Sequence, residues 1–167
     1  MSLVALILAA GKGKRMRSRL PKVLHPILGR PIVSYVLEEV KKISPERTVV
    51  VVGHGSSDVK RALDSYDLSY VNQSKQLGTA HAVMLCKGEL EGYDGTVIIL
   101  YGDCPLIRHE TVSRFINAHR STRSLLSVLT AKVGSPFGYG RILRNGMGEI
   151  TDIVEEKDAT SEQKRLN

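Results

Sequence analysis

Val4-Ala5-Leu6-Ile7-Leu8-Ala9-Ala10-Gly11-Lys12-Gly13-Lys14-Arg15-Met16 opens with an unbroken apolar run and turns directly into a loop of small and basic residues. A continuous apolar run of this length suits a parallel strand covered on both faces, because neither face meets water. The pattern recurs along the chain. Thr48-Val49-Val50-Val51-Val52 ends in Gly53-His54-Gly55, residues 68–71 make a shorter run, and Thr96-Val97-Ile98-Ile99-Leu100-Tyr101, the most apolar of them, leads into Gly102-Asp103-Cys104-Pro105. Helix signals lie between these strands: residues 31–40 with Pro31 at the first helical position, a helix capped by Ser57-Asp58 and running to Leu63, residues 79–86, and residues 110–120. Such alternation predicts an α/β fold, a Rossmann-like, mostly parallel sheet with helices on both faces. Ligands of such sheets bind beyond the carboxyl ends of the strands, at a topological switch point. Three polar loops fall there: residues 9–22, 53–57 and 102–105.

From residue 125 the pattern changes. Residues 127–132, 139–143 and 149–155 read as strands joined by turns at Ser135-Pro136 and Asn145-Gly146. Residues 160–166 open a further helical pattern. No repeat and no low-complexity stretch interrupts the 167 residues, whose length suits a single domain.

Composition narrows the function classes. Hydrophobic residues make up 42% and charged residues 25% of the chain, as in ordinary globular domains. No apolar run approaches the roughly 20 residues that span a bilayer, and no basic n-region precedes the first strand. Cys86 and Cys104 form neither a CxxC pair nor a zinc-spaced cluster. These features predict a reduced, cytoplasmic protein without a membrane partner. The net charge is +7, and six cations (Lys12, Lys14, Arg15, Arg17, Arg19, Lys22) sit together without an acid among them, so the remainder carries only +1. Charge gathered in one glycine-punctuated loop suits a small polyanion. A nucleic-acid binder would spread it over a face, and 5% aromatic residues with no Trp offer little base stacking.

Three stretches can carry chemistry. The loop after the first strand matches neither GxGxxG, which needs Gly at Met16, nor the P-loop pattern. Its small residues Ala9, Ala10, Gly11 and Gly13 still let backbone N–H groups approach a phosphate, with Arg15 and Lys22 adding mobile charge; a solvated basic loop is the alternative. Asp103, at the end of the most apolar strand, suits a Mg²⁺ ion bridging phosphates, or equally the cap of a turn before Pro105. Gln73-Ser74-Lys75-Gln76-Leu77-Gly78-Thr79 places two amides, each both donor and acceptor, beside a glycine that permits close approach of a base; ordinary helix entry explains Gly78-Thr79 as well. The five histidines have no catalytic or metal spacing, and no GxSxG elbow supports a serine nucleophile.

Taken together, these stretches resemble the sugar-1-phosphate nucleotidylyltransferases, most closely the uridylyltransferase branch that bacteria carry fused to an acetyltransferase. The resemblance rests on five motifs in register: the loop of residues 8–16 with Leu20-Pro21-Lys22-Val23-Leu24-His25, then Gln76-Leu77-Gly78-Thr79-Ala80-His81-Ala82, Tyr101-Gly102-Asp103-Cys104-Pro105-Leu106, Gly138-Tyr139-Gly140-Arg141-Ile142, and Ile153-Val154-Glu155-Glu156-Lys157-Asp158-Ala159. It implies one nucleotidyltransferase domain over residues 1–167, incomplete at its C-terminus and without an acetyltransferase β-helix. It implies that Leu8, Ala9, Ala10 and Gly11 line the nucleotide and that Arg15 and Lys22 act catalytically on its phosphates. Gln73, Gln76 and Gly78 would read uracil beside Thr79, and the Tyr101-Gly102-Asp103 turn would border the substrate, with Asp103 binding Mg²⁺. Gly140 and Glu155 would contact the amino sugar. The implied reaction joins UTP and N-acetylglucosamine-1-phosphate, releasing pyrophosphate and giving a precursor of peptidoglycan. The same resemblance implies a parent that is homo-oligomeric through a domain absent here. Lys14 departs from the family pattern, which has Thr. Three other readings compete with this one: a related transferase with other substrates, a nucleotide-binding module without turnover, and a basic nucleic-acid binder.

Overall fold

The structure, a computed structural model, describes residues 2–166 and divides into two compact units, residues 1–125 and 126–167. In the first unit the elements run β1 (Leu3–Leu8), β2 (Pro26–Ile27), β3 (Arg30–Pro31), α1 (Ile32–Lys42), β4 (Arg47–Val52), α2 (Ser56–Ala62), β5 (Ser69–Asn72), α3 (Thr79–Leu85), β6 (Thr96–Tyr101) and α4 (His109–Thr122). β5, β4, β1 and β6 form a parallel four-stranded sheet in that order. The chain moves outward from β1 to β4 and β5 and then returns to add β6 on β1's other side. Loops leaving β1 and β6 therefore diverge at the carboxyl end of the sheet, the place where such folds open a crevice.

Alternation along β1 divides the core. Leu3, Ala5, Ile7 and Ala9 pack with Val33, Val36, Leu37 and Val40 of α1, Val59 of α2 and Val112 and Ile116 of α4. Val4 and Leu6 face the opposite way, toward Ala82 of α3 and Cys86. The apolar positions of α1 fall at i, i+3, i+4 and i+7, the spacing of one helical face. The parallel sheet with helices on both faces is thus present, and its strands lie where the apolar runs placed them.

Three local readings need correction. Pro31 precedes α1 as its N-cap, with φ −54° and ψ 141°, and closes the short β2–β3 hairpin. Gly55, left-handed at φ 68°, caps α2, so Ser57 and Asp58 lie inside its first turn and make no side-chain cap. Residues 127–132 form no strand: β-branched composition favours extension, but a strand also needs a ladder, and Leu126 and Leu129 remain exposed.

The second unit contains β7 (Arg141–Arg144) and β8 (Ile150–Val154), an antiparallel hairpin. Its turn is tied by the Asn145 carboxamide oxygen, which accepts from the backbone N–H groups of Met147 and Glu149 at 3.0 Å each. Where the sequence suggested a helix opening at residue 160, Thr160 and Gln163 bond each other's backbone N–H reciprocally, but only a 3₁₀ turn, Gln163–Arg165, follows. Among the described residues no helix is long and apolar enough to cross a membrane.

Candidate functional site

At the carboxyl end of the sheet lies an open cleft of about 420 Å³, lined by Leu8, Ala10, Gly11, Lys12, Gly13, Lys22, Val23, Gln73, Gln76, Gly78, Thr79, Ala82, Tyr101 and Asp103. Parallel pairing fixes its floor. The Ala9 N–H donates to the Val51 carbonyl and the Gly102 N–H to the Leu8 carbonyl, both at 2.9 Å, so the loops leaving β1 and β6 depart from one registered edge.

The basic loop folds back so that Gly13 lies against Lys22. Gly13 is left-handed at φ 58°, and a Cβ there would stand 2.9 Å from Lys22 Cβ, so both conformation and space require glycine. Lys22 then reaches Asp103, its ammonium donating to Oδ2 in an ion pair that bridges the two sides of the cleft. Cys104 follows; desolvation, reinforced by the Asp103 charge, pushes its thiol above the ordinary value, so it is poorly suited to act as a nucleophile.

Two glutamines have separate tasks. The Gln73 side chain is buried, and its amide nitrogen donates to the Gly78 carbonyl at 3.0 Å and lies 3.0 Å from His81 Nδ1. Both amide hydrogens are committed, which leaves the carboxamide oxygen as the group Gln73 can offer a ligand. Gln76 instead donates to the Ala10 carbonyl at 2.9 Å and fastens the loop before α3 to the loop after β1. Gly78, at φ 101°, has open space where a Cβ would stand, so a flat ligand can approach its backbone.

Leu8, Ala10, Gly11, Lys22, Gln73, Gln76, Gly78, Thr79, Tyr101 and Asp103 thus meet around one cleft. Ala9 is buried in the core beneath it, and Gly102 lies behind Leu8, where a Cβ would come within 3.2 Å of the Leu8 carbonyl. Arg15 is exposed and outside the lining. The Lys14 side chain lies outside the described residues. Gly140 and Glu155 belong to the second unit, where a Cβ on Gly140 would stand 3.5 Å from the carbonyl oxygen of Val154, the residue before Glu155. Gly13, which sequence reasoning placed in the phosphate-facing loop, is in the lining, whereas Lys12, Val23 and Ala82 were missed as lining residues. The cluster of basic residues around Gly11 was a signal for Lys12; Val23 and Ala82 depend on tertiary packing.

The cleft's donor set suits a hard divalent cation. Such an ion takes one or two carboxylates and completes its shell with water and substrate phosphates, and Asp103 supplies one carboxylate in a cleft whose other charged side chains, among the described residues, are Lys12 and Lys22. Three ligand-type residues that do group together among those described, Glu39, His109 and Glu110, lie where α1 meets the start of α4, outside the cleft lining. There Glu39 is already engaged by Lys42, at 2.5 Å, and by the His109 backbone N–H, at 2.7 Å.

The chain is similar to several known proteins. Bifunctional protein GlmU of Syntrophotalea carbinolica is 51% identical over 98% of this chain, which spans 35% of that relative's length. UDP-glucose pyrophosphorylase complexed with UDP-glucose superposes with a TM-score of 0.73 at 21% identity, covering 100% of this chain and 73% of that one. Rv0371c of Mycobacterium tuberculosis, solved as a manganese complex, superposes with a TM-score of 0.61 at 16% identity, covering 72% of this chain and 61% of that one. The profile of the MobA-like NTP transferase domain matches residues 5–165, and this chain belongs to that family.

Proposed function

We propose that this chain is the nucleotide-binding part of a sugar-1-phosphate nucleotidyltransferase that transfers uridylyl from UTP to N-acetylglucosamine-1-phosphate. The observation that carries the reading is the single cleft into which a glycine-rich loop, a free carboxamide oxygen on Gln73 and the Lys22–Asp103 pair all open. Uracil presents an N–H between two carbonyls; the Gln73 oxygen can accept that N–H, and Gly78 leaves room for the ring. Backbone N–H groups at Ala10 and Gly11 and the ammoniums of Lys12 and Lys22 suit the phosphates. Gly140 and Glu155 are the residues proposed to contact the amino sugar. The similarity to GlmU over most of this chain supports the choice of UTP and N-acetylglucosamine-1-phosphate. The family profile spans both units, which supports reading them as parts of one domain.

The reaction needs little from a general base, because the attacking sugar-phosphate oxygen is already an anion. It forms a bond to the α-phosphorus of UTP in line with the departing pyrophosphate. Positioning and neutralisation of the phosphate charge supply most of the acceleration. Lys22 holds the α-phosphate and gives up its contact with Asp103 as it does so. The manganese complex of Rv0371c supports a divalent ion; Asp103 is the residue that would hold it here, and Mg²⁺ is the ion proposed. When bound, that ion supplies Lewis-acid stabilisation of the phosphate oxygens. A second reading, a unit that binds nucleotide without turnover, is favoured by the presence of one carboxylate in the cleft lining.

Pyrophosphate release separates the two readings. Incubation with UTP, Mg²⁺ and N-acetylglucosamine-1-phosphate releases pyrophosphate if the chain transfers uridylyl, and ATP or glucose-1-phosphate in place of either substrate lowers the rate. Nucleotide binding without release assigns the chain to the second reading.

A further inference from the structure

The Gly53-His54-Gly55 turn after β4 borders the cleft without lining it. Gly53 has no left-handed φ, so what its position demands is space. A Cβ there would stand 2.9 Å from the Ala10 carbonyl oxygen and 3.1 Å from Gln76 Nε2. Those are the two atoms of the hydrogen bond that ties the phosphate-facing loop to the base-facing loop. A methyl group at residue 53 would therefore crowd both atoms of that bond. The Ala10 carbonyl cannot easily give way, because the neighbouring Ala9 N–H is held by Val51 in the sheet. Nor can the turn retreat. Gly55 sits against the fully buried Pro21, where a Cβ would meet Cγ at 2.4 Å, and the Gly55 carbonyl accepts from Val59, a core residue of α2. The side chain of Gln76 is the part free to move.

We propose that Gly53 is a positioning residue for nucleotide binding, acting through the Gln76–Ala10 hydrogen bond to hold the two ligand-facing loops in register. It touches no ligand itself. The inference rests on the reading of the cleft as a nucleotide site, and it assigns the Gly-His-Gly turn a role beyond linking β4 to α2.

The test compares the wild type with Gly53→Ala, Gln76→Ala and the double variant, by calorimetric titration with UTP and by amide hydrogen exchange without ligand. Gly53→Ala is expected to weaken UTP binding at least tenfold and to speed exchange across residues 73–78, with exchange in β1 and β4 unchanged. Because both substitutions break one bond, the double variant is expected to lose no more affinity than Gln76→Ala alone. Unchanged affinity, or losses that multiply, would overturn the inference. So would a loss of the circular-dichroism signal in Gly53→Ala, since Gly53 would then be a residue of the fold. If the folded wild type fails to bind UTP, the proposed function fails and the role in nucleotide binding with it, and exchange decides what is left of this inference: faster exchange at residues 73–78 in Gly53→Ala upholds the hold of Gly53 on the two loops through the Gln76–Ala10 bond, and unchanged exchange removes that too.

Discussion

Lys22 and Asp103, 81 residues apart in the chain, meet as an ion pair across the mouth of the cleft. With side chains 34% and 26% exposed, the pair is solvent-screened and exchangeable. Each group neutralises the other until a ligand arrives. A phosphate that draws Lys22 away leaves the Asp103 carboxylate open to a cation, so nucleotide and metal are expected to bind cooperatively.

Lys22→Ala tests that exchange. Removing a charged hydrogen-bond donor is worth about 1.5–3 kcal/mol, which corresponds to a roughly 10- to 100-fold loss of UTP affinity. The same substitution frees Asp103, so Mg²⁺ binding without nucleotide should strengthen. Calorimetric titration with each ligand checks both halves, and unchanged UTP affinity would take Lys22 out of the phosphate site.

Gln73→Leu should erase base preference while leaving the phosphate contacts in place. The UTP advantage over CTP is expected to shrink about tenfold, the value of one hydrogen bond of about 1–1.5 kcal/mol to the base. Competition titration with the two nucleotides gives the ratio directly. An unchanged ratio would place base recognition elsewhere.

Acid stability should depend on Glu39. Its carboxyl is lowered from 4.5 to about 2, first by the hydrogen bond from Lys42, then by those from the His109 backbone N–H and imidazole. A carboxyl depressed in the folded state stabilises the protein fully above its unfolded value, and that contribution is lost as pH falls from 4.5 toward 2. Glu39→Gln should lower the melting temperature at pH 7 and flatten its fall across that window. Parallel melting-temperature curves for the two proteins would refute the role.

Arg141 is expected to hold the second unit together. It is buried, donates to the carbonyls of Tyr139 and Lys164, and places Nη2 2.9 Å from Glu156 Oε2, a charge contact whose angle falls outside hydrogen-bond geometry. Arg141→Leu strands the Glu156 carboxylate. Breaking a buried pair costs about 3–5 kcal/mol; Glu156, 23% exposed, points to the lower end of that range. Denaturant unfolding with limited proteolysis of residues 126–166 should reveal the loss, and wild-type resistance would count against it.

Much of this was legible in the sequence where one residue type has one physical meaning. Val49 to Val52 had to be a strand buried on both sides, and the small residues after Leu8 marked a loop that the structure places in the cleft lining. The remainder depended on tertiary geometry. Gln73 and Gln76 look alike in sequence, yet one spends both amide hydrogens on Gly78 and His81 and the other pins Ala10. The β2–β3 hairpin was missed because its strands have two residues each, and its turn places an exposed Leu28 at φ 47° before Gly29, a conformation sequence patterning disfavours for leucine. Residues 127–132 were misread because β propensity marks a willingness to extend and leaves the partner unspecified.

The most direct measurement is calorimetric titration of the folded chain with UTP, with and without Mg²⁺, beside ATP and CTP. Selective UTP binding that Mg²⁺ tightens is the predicted result. A chain folded by circular dichroism that binds none of the three, or binds them equally, would contradict the assignment of the cleft.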